Sequence, residues 1–348
     1  MTLISDYLIQ AVRLAPSADN SQPWRVEFSG NTLKVFYATE RVRDKTFSPE
    51  NPATLLSMGA ALENIQQAAE MIGVKIKINI PRTLDSMIPC YFEIVIENGD
   101  QNLNIANIEA HPLHQRYTNR FPFLTKPLPI ALRQVLKNLT LNDARTVVFD
   151  TQPEIKDISE LVRKASEIRF RTRETNEWLS KSLKFSGNKL EGLDVKTLDL
   201  PPGGAYFLRL IGNWQVMKVL NLLGTYKSMS FIDSYPLRKA PAIIAIISPL
   251  DFQNVMDAGR LMEQIWVKLN ENGLAVHPYY VVSDQLNRRI TGNVPADLEK
   301  PSKSVFESAK NLIQLKENES LQMLFRVGYP KKKVVRSKRL QINEICSP

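Results

Sequence analysis

Apolar positions recur along the chain in two rhythms. Leu8, Ile9 and Val12 lie on one helical stripe behind the cap-type residues Ser5 and Asp6, which predicts a helix over 5–14. A polar stretch punctuated by Pro16 and Pro23 follows. Residues 25–28 and 32–37 alternate as strands, and Gly30-Asn31 between them predicts a hairpin. A long amphipathic helix is expected over 54–72, with strands at 74–80 and 91–97. Later, helices near 130–139 and 154–171 flank a strand at 146–149. Residues 241–247 form a continuous apolar run, the mark of a buried strand. A helix over 257–271, a strand at 279–282, a helix near 305–315 and a strand at 322–327 complete the pattern. Between 184 and 204 lie Gly187, Gly192, Pro201, Pro202, Gly203 and Gly204, a long unpatterned stretch that reads as either disordered or a functional lid.

One pattern occurs twice. Gly59-Ala60-Ala61-Leu62-Glu63-Asn64-Ile65 reappears as Gly259-Arg260-Leu261-Met262-Glu263-Gln264-Ile265. The interval from Gly59 to Gly73 equals that from Gly259 to Gly273, and the second glycine of each pair suits a left-handed helix cap. Two amphipathic helices can match by chance, but each of these is also placed between strands. A duplicated α+β unit is the expectation.

Composition narrows the function classes. The chain has 348 residues, 43% of them hydrophobic and 23% charged, enough for a large core and about two domains. No apolar run reaches the roughly 18 residues of a membrane-crossing helix. The first residues lack the basic start and apolar stretch of a secretion signal, and two cysteines, Cys90 and Cys346, make no disulfide scaffold. A cytoplasmic setting is expected. The net charge of +9 favours an anionic partner. Nucleic acid is disfavoured, because the aromatic residues do not interleave with Lys and Arg in a base-stacking module. Neither standard nucleotide-phosphate glycine loop nor a G-x-S-x-G elbow is present. His111 and His114, without a Cys or acidic cluster around them, read as loop histidines rather than metal ligands.

Three stretches carry candidate chemistry. In Pro16-Ser17-Ala18-Asp19-Asn20-Ser21-Gln22-Pro23-Trp24, the two amides offer donors and acceptors together, which suits a heterocycle with alternating C=O and N–H groups. The same residues would also make an ordinary capped turn with Trp24 in the core. In Arg116-Tyr117-Thr118-Asn119-Arg120, an extended backbone would put Arg116, Thr118 and Arg120 on one side, where two guanidinium forks and a hydroxyl suit a phosphate. A solvated basic face is the alternative. Arg336-Ser337-Lys338-Arg339 repeats that chemistry near the C-terminus, unless it is simply a basic tail.

Together these stretches resemble the nitroreductase family of FMN-dependent α+β flavoenzymes. Residues 15–24 are similar to that family's A-P-S-x-x-N-x-Q-P-W signature, and Arg116-x-Thr118-x-Arg120 to its R-x-S-x-R phosphate motif, with Thr for Ser. Gly273-Leu274 with Pro278 resembles a flavin-lining segment. Arg326-Val327-Gly328-Tyr329-Pro330 with Lys338 and Arg339 resembles the closing strand and terminal basic pair. The order departs from the family's usual one. The A-P-S loop comes first, and residues 139–143, where a second loop would fall, lack the signature.

The resemblance is to the internally duplicated, Acg-like branch. It implies two fused nitroreductase-like halves, 1–105 and 106–348, each a mixed or antiparallel sheet with flanking helices, the second half with a possible lid at 184–204. One FMN is expected in a composite site. Pro16, Ser17, Ala18 and Asn20 would hold its ring, Arg116, Thr118, Arg120, Lys338 and Arg339 its phosphate, and Pro278 would line it. NAD(P)H would donate hydride, and a nitroaromatic, quinone or similar flat acceptor would take electrons, with no protein acid or base required. The alternative is a flavin-holding protein with a lid-occluded FMN. A fused pair carries its interface internally, so a monomer is expected.

Overall fold

Two antiparallel sheets pack against a central pair of helices. The computed structural model describes residues 3–42, 45–85, 87–98, 112–185, 189–332 and 334–346. The N-terminal elements are α1 (Leu3–Leu14), β1 (Trp24–Ser29), β2 (Thr32–Tyr37), α2 (Pro52–Met71), β3 (Lys75–Asn79) and β4 (Cys90–Asn98). They form a four-stranded sheet in the order β1-β2-β4-β3, every neighbour antiparallel. Edge strand β3 alternates exposed and half-buried residues, as its Lys-Ile-Lys-Ile-Asn sequence dictates.

The C-terminal strands are β5 (Thr140–Leu141), β6 (Ala144–Phe149), β7 (Leu183–Lys184), β8 (Leu193–Asp194), β9 (Ala242–Pro249), β10 (Ala275–Tyr279) and β11 (Glu319–Gly328). The helices among them are α3 (Gln152–Arg171), α4 (Arg173–Ser182), α5 (Gly204–Ile211), α6 (Trp214–Leu222), α7 (Thr225–Arg238), α8 (Phe252–Glu271), α9 (Val281–Ile290) and α10 (Glu299–Ile313). The second sheet runs β10-β11-β9-β6-β5 and is antiparallel throughout, while β7 and β8 form a separate parallel pair.

Strand β9 is apolar without a break because both faces of its sheet are covered. Ala242, Ile244 and Ile246 join the core around the central helices, and Ile243, Ala245 and Ile247 join a second core under α3, α9 and α10. The order β6-β9-β11-β10 matches β1-β2-β4-β3 strand for strand, with a helix preceding the third strand in both. The difference lies in the connections. Where Gly30-Asn31 joins β1 to β2, residues 150–241 join β6 to β9.

Helices α2 and α8 cross at their glycines. A Cβ on Gly59 would stand 2.0 Å from the Met256 carbonyl oxygen, and one on Gly259 would stand 2.4 Å from that of Leu56, so only glycine permits this approach. Both helices end on a glycine with φ of +69°, Gly73 and Gly273. Each is followed by a residue whose N–H returns to the helix, Val74 to Ala69 and Leu274 to Leu269.

The strand expected at 279–282 is a correction. The strand is Ala275–Tyr279, Tyr280 is already helical (φ −98°, ψ −10°), and Val281 opens α9. The apolar Val281 and Val282 face the second core from a helix, which a short apolar run cannot reveal. Helices α4 to α7 also escaped the periodicity. α4 to α6 are short, α7 carries Pro236 inside it, and the caps before α6 and α7, Asn213 and Gly224, look like loop residues in sequence.

Candidate functional site

The loop between α1 and β1 is held in a conformation that most residues avoid. Asp19 (φ +48°), Asn20 (φ +58°) and Gln22 (φ +50°) are all left-handed, and Asp and Asn tolerate that region best among residues with side chains. Ser17 Oγ accepts from the Gln22 N–H at 2.9 Å and stabilises the turn. Arg41 clamps the far end, donating to the Gln22 carbonyl at 2.7 Å and the Trp24 carbonyl at 2.8 Å. Such clustered strain marks a place where geometry matters more than local stability.

Two other segments meet this loop. Asn20 Nδ2 donates to the carbonyls of Leu190 (3.0 Å) and Lys338 (3.1 Å), and Asn20 Oδ1 accepts from Arg339. Gln22 Nε2 donates to the Leu190 carbonyl at 2.9 Å, and Gln22 Oε1 accepts from the Leu340 N–H at 2.9 Å. The Gly192 N–H closes on the Asn20 carbonyl, and Glu191 pairs with Arg41. Residues 190–192, in the middle of 184–204, thus lie across the loop as a strap. Gly187 is outside the described residues.

Three arginines converge on the same loop from residues beyond 112. Arg116 donates to the Leu14 carbonyl at 2.7 Å, pairs with Glu263 at 2.9 Å and covers the Trp266 ring at 4.6 Å. Arg339 reaches the Ala15 carbonyl at 3.3 Å as well as Asn20. Arg120 stands apart. It makes no hydrogen bond among the described residues, and its charge partner is Asp19. Burial pushes the Asp19 carboxyl up, and Arg120 opposes that rise.

The charge balance below the loop rests on the repeated glutamates. Glu263 is fully buried, and burial lifts its carboxyl to about 7, against the pull of Arg116. Burial also weakens the proton affinity of Arg116 and Arg339, each aggravated by a neighbouring cation. Glu63, its counterpart on α2, faces Arg260 at 3.4 Å.

The expected site residues fall into two groups. Pro16, Ser17, Ala18 and Asn20 lie on the loop and Lys338 and Arg339 on the tail that meets it, while Arg116 and Arg120 reach toward it from a separate segment. Thr118 makes a bridge to Val276, and Pro278 lies opposite Phe325 on edge strand β10, where its missing N–H costs no ladder bond. Arg116 and Arg120 do not act alike, because Arg116 is already held by Glu263 and Arg120 is not. Arg41 and His277 also shape the site and carried no sequence signal, whereas Arg326 was marked only through the likeness of residues 326–330 to a closing strand. Arg326 is buried, donates to the Phe121 carbonyl at 2.7 Å and covers the Phe123 ring at 4.1 Å. His277 has a buried Nδ1 without a partner, and burial with Arg326 and Arg120 lowers its proton affinity.

The donor chemistry fits an anionic mononucleotide. Asn119 Nδ2, Arg326 Nε and Ser21 Oγ are buried without partners, and Arg120 has no direct counterion. The amides of Asn20 and Gln22 are engaged by the strap and tail, so a ring there requires the strap to shift. His114 sits on a helical turn, Pro112–Gln115, and His111 is outside the described residues. Among the described residues no group of three or more metal-ligating side chains is present, and no helix is long and apolar enough to cross a membrane.

No protein-family model matches the chain. A curated relative, the uncharacterised protein MT1398 of Mycobacterium tuberculosis (strain CDC 1551 / Oshkosh), is 24% identical over 281 residues, 79% of this chain. The chain spans 38% of that protein's length. Solved structures that superpose on it include the FMN-dependent nitroreductase NfnB of Mycobacterium smegmatis in complex with NADPH (TM-score 0.40, 13% identity, 69% of this chain and 97% of that one). A Bacteroides fragilis nitroreductase with bound FMN gives a TM-score of 0.38 at 10% identity over 69% of this chain and 96% of that one. Iodotyrosine deiodinase bound to FMN and 3-iodo-L-tyrosine gives 0.37 at 13% over 66% and 94%. Superpositions at these scores leave the assignment to the residues themselves.

Proposed function

We propose that the chain is an FMN-binding oxidoreductase of the nitroreductase type, built from two fused halves, 1–105 and 106–348, that share one flavin. The convergence of Arg116, Arg120 and Arg339 on the strained 16–24 loop carries this reading, because it brings a phosphate grip and a ring-binding loop from distant sequence together. The matching strand orders, the glycine crossing and the paired left-handed caps support the duplication.

Bound FMN would take hydride from NAD(P)H and pass electrons to a nitroaromatic, quinone or similar flat acceptor. The protein's part is to hold and orient. Arg120, with Thr118 and Lys338, grips the phosphate, while Arg116 and Arg339, anchored by Glu263, fix the loop that meets the ring. Once the strap shifts, the freed amides of Asn20 and Gln22 face the ring edge, and Pro278 lines the pocket. One fused pair then works as a monomer, which sizing with light scattering tests.

The strap favours a second reading, a flavin-holding protein. Asn20 and Gln22 bind Leu190 and Gly192 directly, so closure over the loop is built in. Purification with FMN separates the two. A yellow protein bleached by NADPH is a reductase. A yellow protein bleached by dithionite but not by NADH or NADPH is a holder. A colourless protein that refuses added FMN contradicts both.

A further inference from the structure

We infer that Arg120, His277 and Arg326, with the Asn119 amide, form a cradle for a small oxyanion, a carboxylate or a phosphate, on the face of the second sheet turned away from α8. His277 and Arg326 are directly opposed in the β10–β11 ladder, so their side chains leave the same face. Val276, Phe325 and Val327 fill the core beside α8, whereas Tyr279 and Leu324 join the outer core, which places His277 and Arg326 on the outer side. The segment carrying Arg120 is fixed at the edge of the same sheet. Thr118 bridges Val276, and the Asn119 N–H donates to the Val276 carbonyl at 2.8 Å.

The cradle is lined by donors and positive charge, and the acceptors at hand, the Asn119 and Phe121 carbonyls, are already taken by Arg326 Nη2. Arg326 is 1% exposed and Asn119 0%, and Arg326 Nε, Asn119 Nδ2 and His277 Nδ1 are all buried without partners. Buried polar groups are almost always paired in folded proteins, so two unpartnered donors and an imidazole nitrogen beside a guanidinium with no direct counterion define a place for a ligand. The surrounding charges agree. Asp19 faces Arg120 and Asp199 lies within electrostatic reach of Arg326, both as indirect counterions. Arg169 adds positive charge beyond Tyr279, whose hydroxyl is committed to the Asp233 carbonyl at 3.1 Å. An oxyanion would pair with Asn119 and Arg326 through hydrogen bonds and with Arg120 through charge. Asp199, on the segment that also straps the loop, then acts as an internal competitor.

The cradle shares Arg120 with the proposed flavin site and deepens that reading, but simple anions probe it without FMN, so each can fail alone. Calorimetric titration of the full chain with sodium benzoate and with inorganic phosphate, at low ionic strength, measures it directly. The wild type is expected to bind both, each displacing the other. Arg120→Ala should weaken binding by about tenfold or more, the loss of one charge-assisted contact. His277→Gln should weaken it less, and Asp199→Asn should tighten it, which a merely structural role would not produce. Circular dichroism checks folding, and His277→Gln carries the test if Arg120→Ala does not fold. FMN and riboflavin identify the natural oxyanion. If FMN blocks benzoate and riboflavin does not, the cradle takes the mononucleotide phosphate. If benzoate still binds FMN-saturated protein, it takes the carboxylate of a separate acid. A wild type that binds neither anion at millimolar concentration, or folded variants that bind both as the wild type does, overturns the cradle.

Discussion

The two four-stranded units share an order of strands and differ in what is attached to them. In the first, β1 and β2 are joined by Gly30-Asn31, and the sheet carries one exposed edge. In the second, the same step is filled by residues 150–241, which supply the strap and cover the outer face of the sheet. The matching glutamates diverge in the same way. Glu63 faces Arg260, which also has Asp257 and Gln66 to bond, while Glu263 anchors Arg116 beneath the 16–24 loop. The scaffold is therefore common, and the buried arginines and the strained backbone are concentrated where the second unit's additions meet the first unit's loop.

The largest expected contrast lies in those glutamates. At pH 8, Glu263→Ala should cost about 3–5 kcal/mol in urea unfolding, because it strands Arg116 in the interior. Glu63→Ala should cost only about 1–2 kcal/mol, since Arg260 keeps other partners. Equal losses would break the comparison. The pH dependence sharpens it. Folding raises the Glu263 carboxyl from its ordinary 4.5 to about 7, so between those values the folded chain binds a proton that the unfolded chain has released. This group thus lowers stability as pH rises through that window, with its full cost above 7. Glu263→Gln should flatten the difference between urea midpoints at pH 5 and pH 8.

Next comes the helix crossing, which binds the two units together. Gly59→Val puts a Cβ 2.0 Å from the Met256 carbonyl oxygen and should cost about 1–3 kcal/mol or more in the same assay. Asn20→Ala removes the strap and tail contacts to Leu190, Lys338 and Arg339. It should cost about 1 kcal/mol and speed proteolytic cutting within 189–202. The smallest effect is set by Glu177→Ala. Its partner Arg173 is 67% exposed at the side chain, so the thermal midpoint should stay put, with a change within about 0.5 kcal/mol.

The scaffold was legible where periodicity and turn chemistry agreed. The hairpin at Gly30-Asn31, the apolar run of β9 and the doubled glycine helices could be read directly, because each depends on local rules. The strand order and the inserted helices α4 to α7 could not, since short amphipathic helices resemble loops. At the site, the 16–24 loop and the Arg-x-Thr-x-Arg segment announced themselves by composition. Their unequal roles did not, because Arg116 meets Glu263 only through the fold, from 147 residues away in sequence by the numbering of that pair. His277 was silent for the same reason, and Arg326, read only as part of a closing strand, gave no hint that the two are cross-strand neighbours.

On the proposed function, one flavin mononucleotide bridges the loop and the arginines. Quenching of FMN fluorescence, titrated against the wild type, Asn20→Ala and Arg120→Ala, tests it most directly. Saturation at one FMN per chain is expected, with affinity falling in both variants and falling further in Arg120→Ala. No quenching by the wild type, or equal affinity in all three folded proteins, would contradict it.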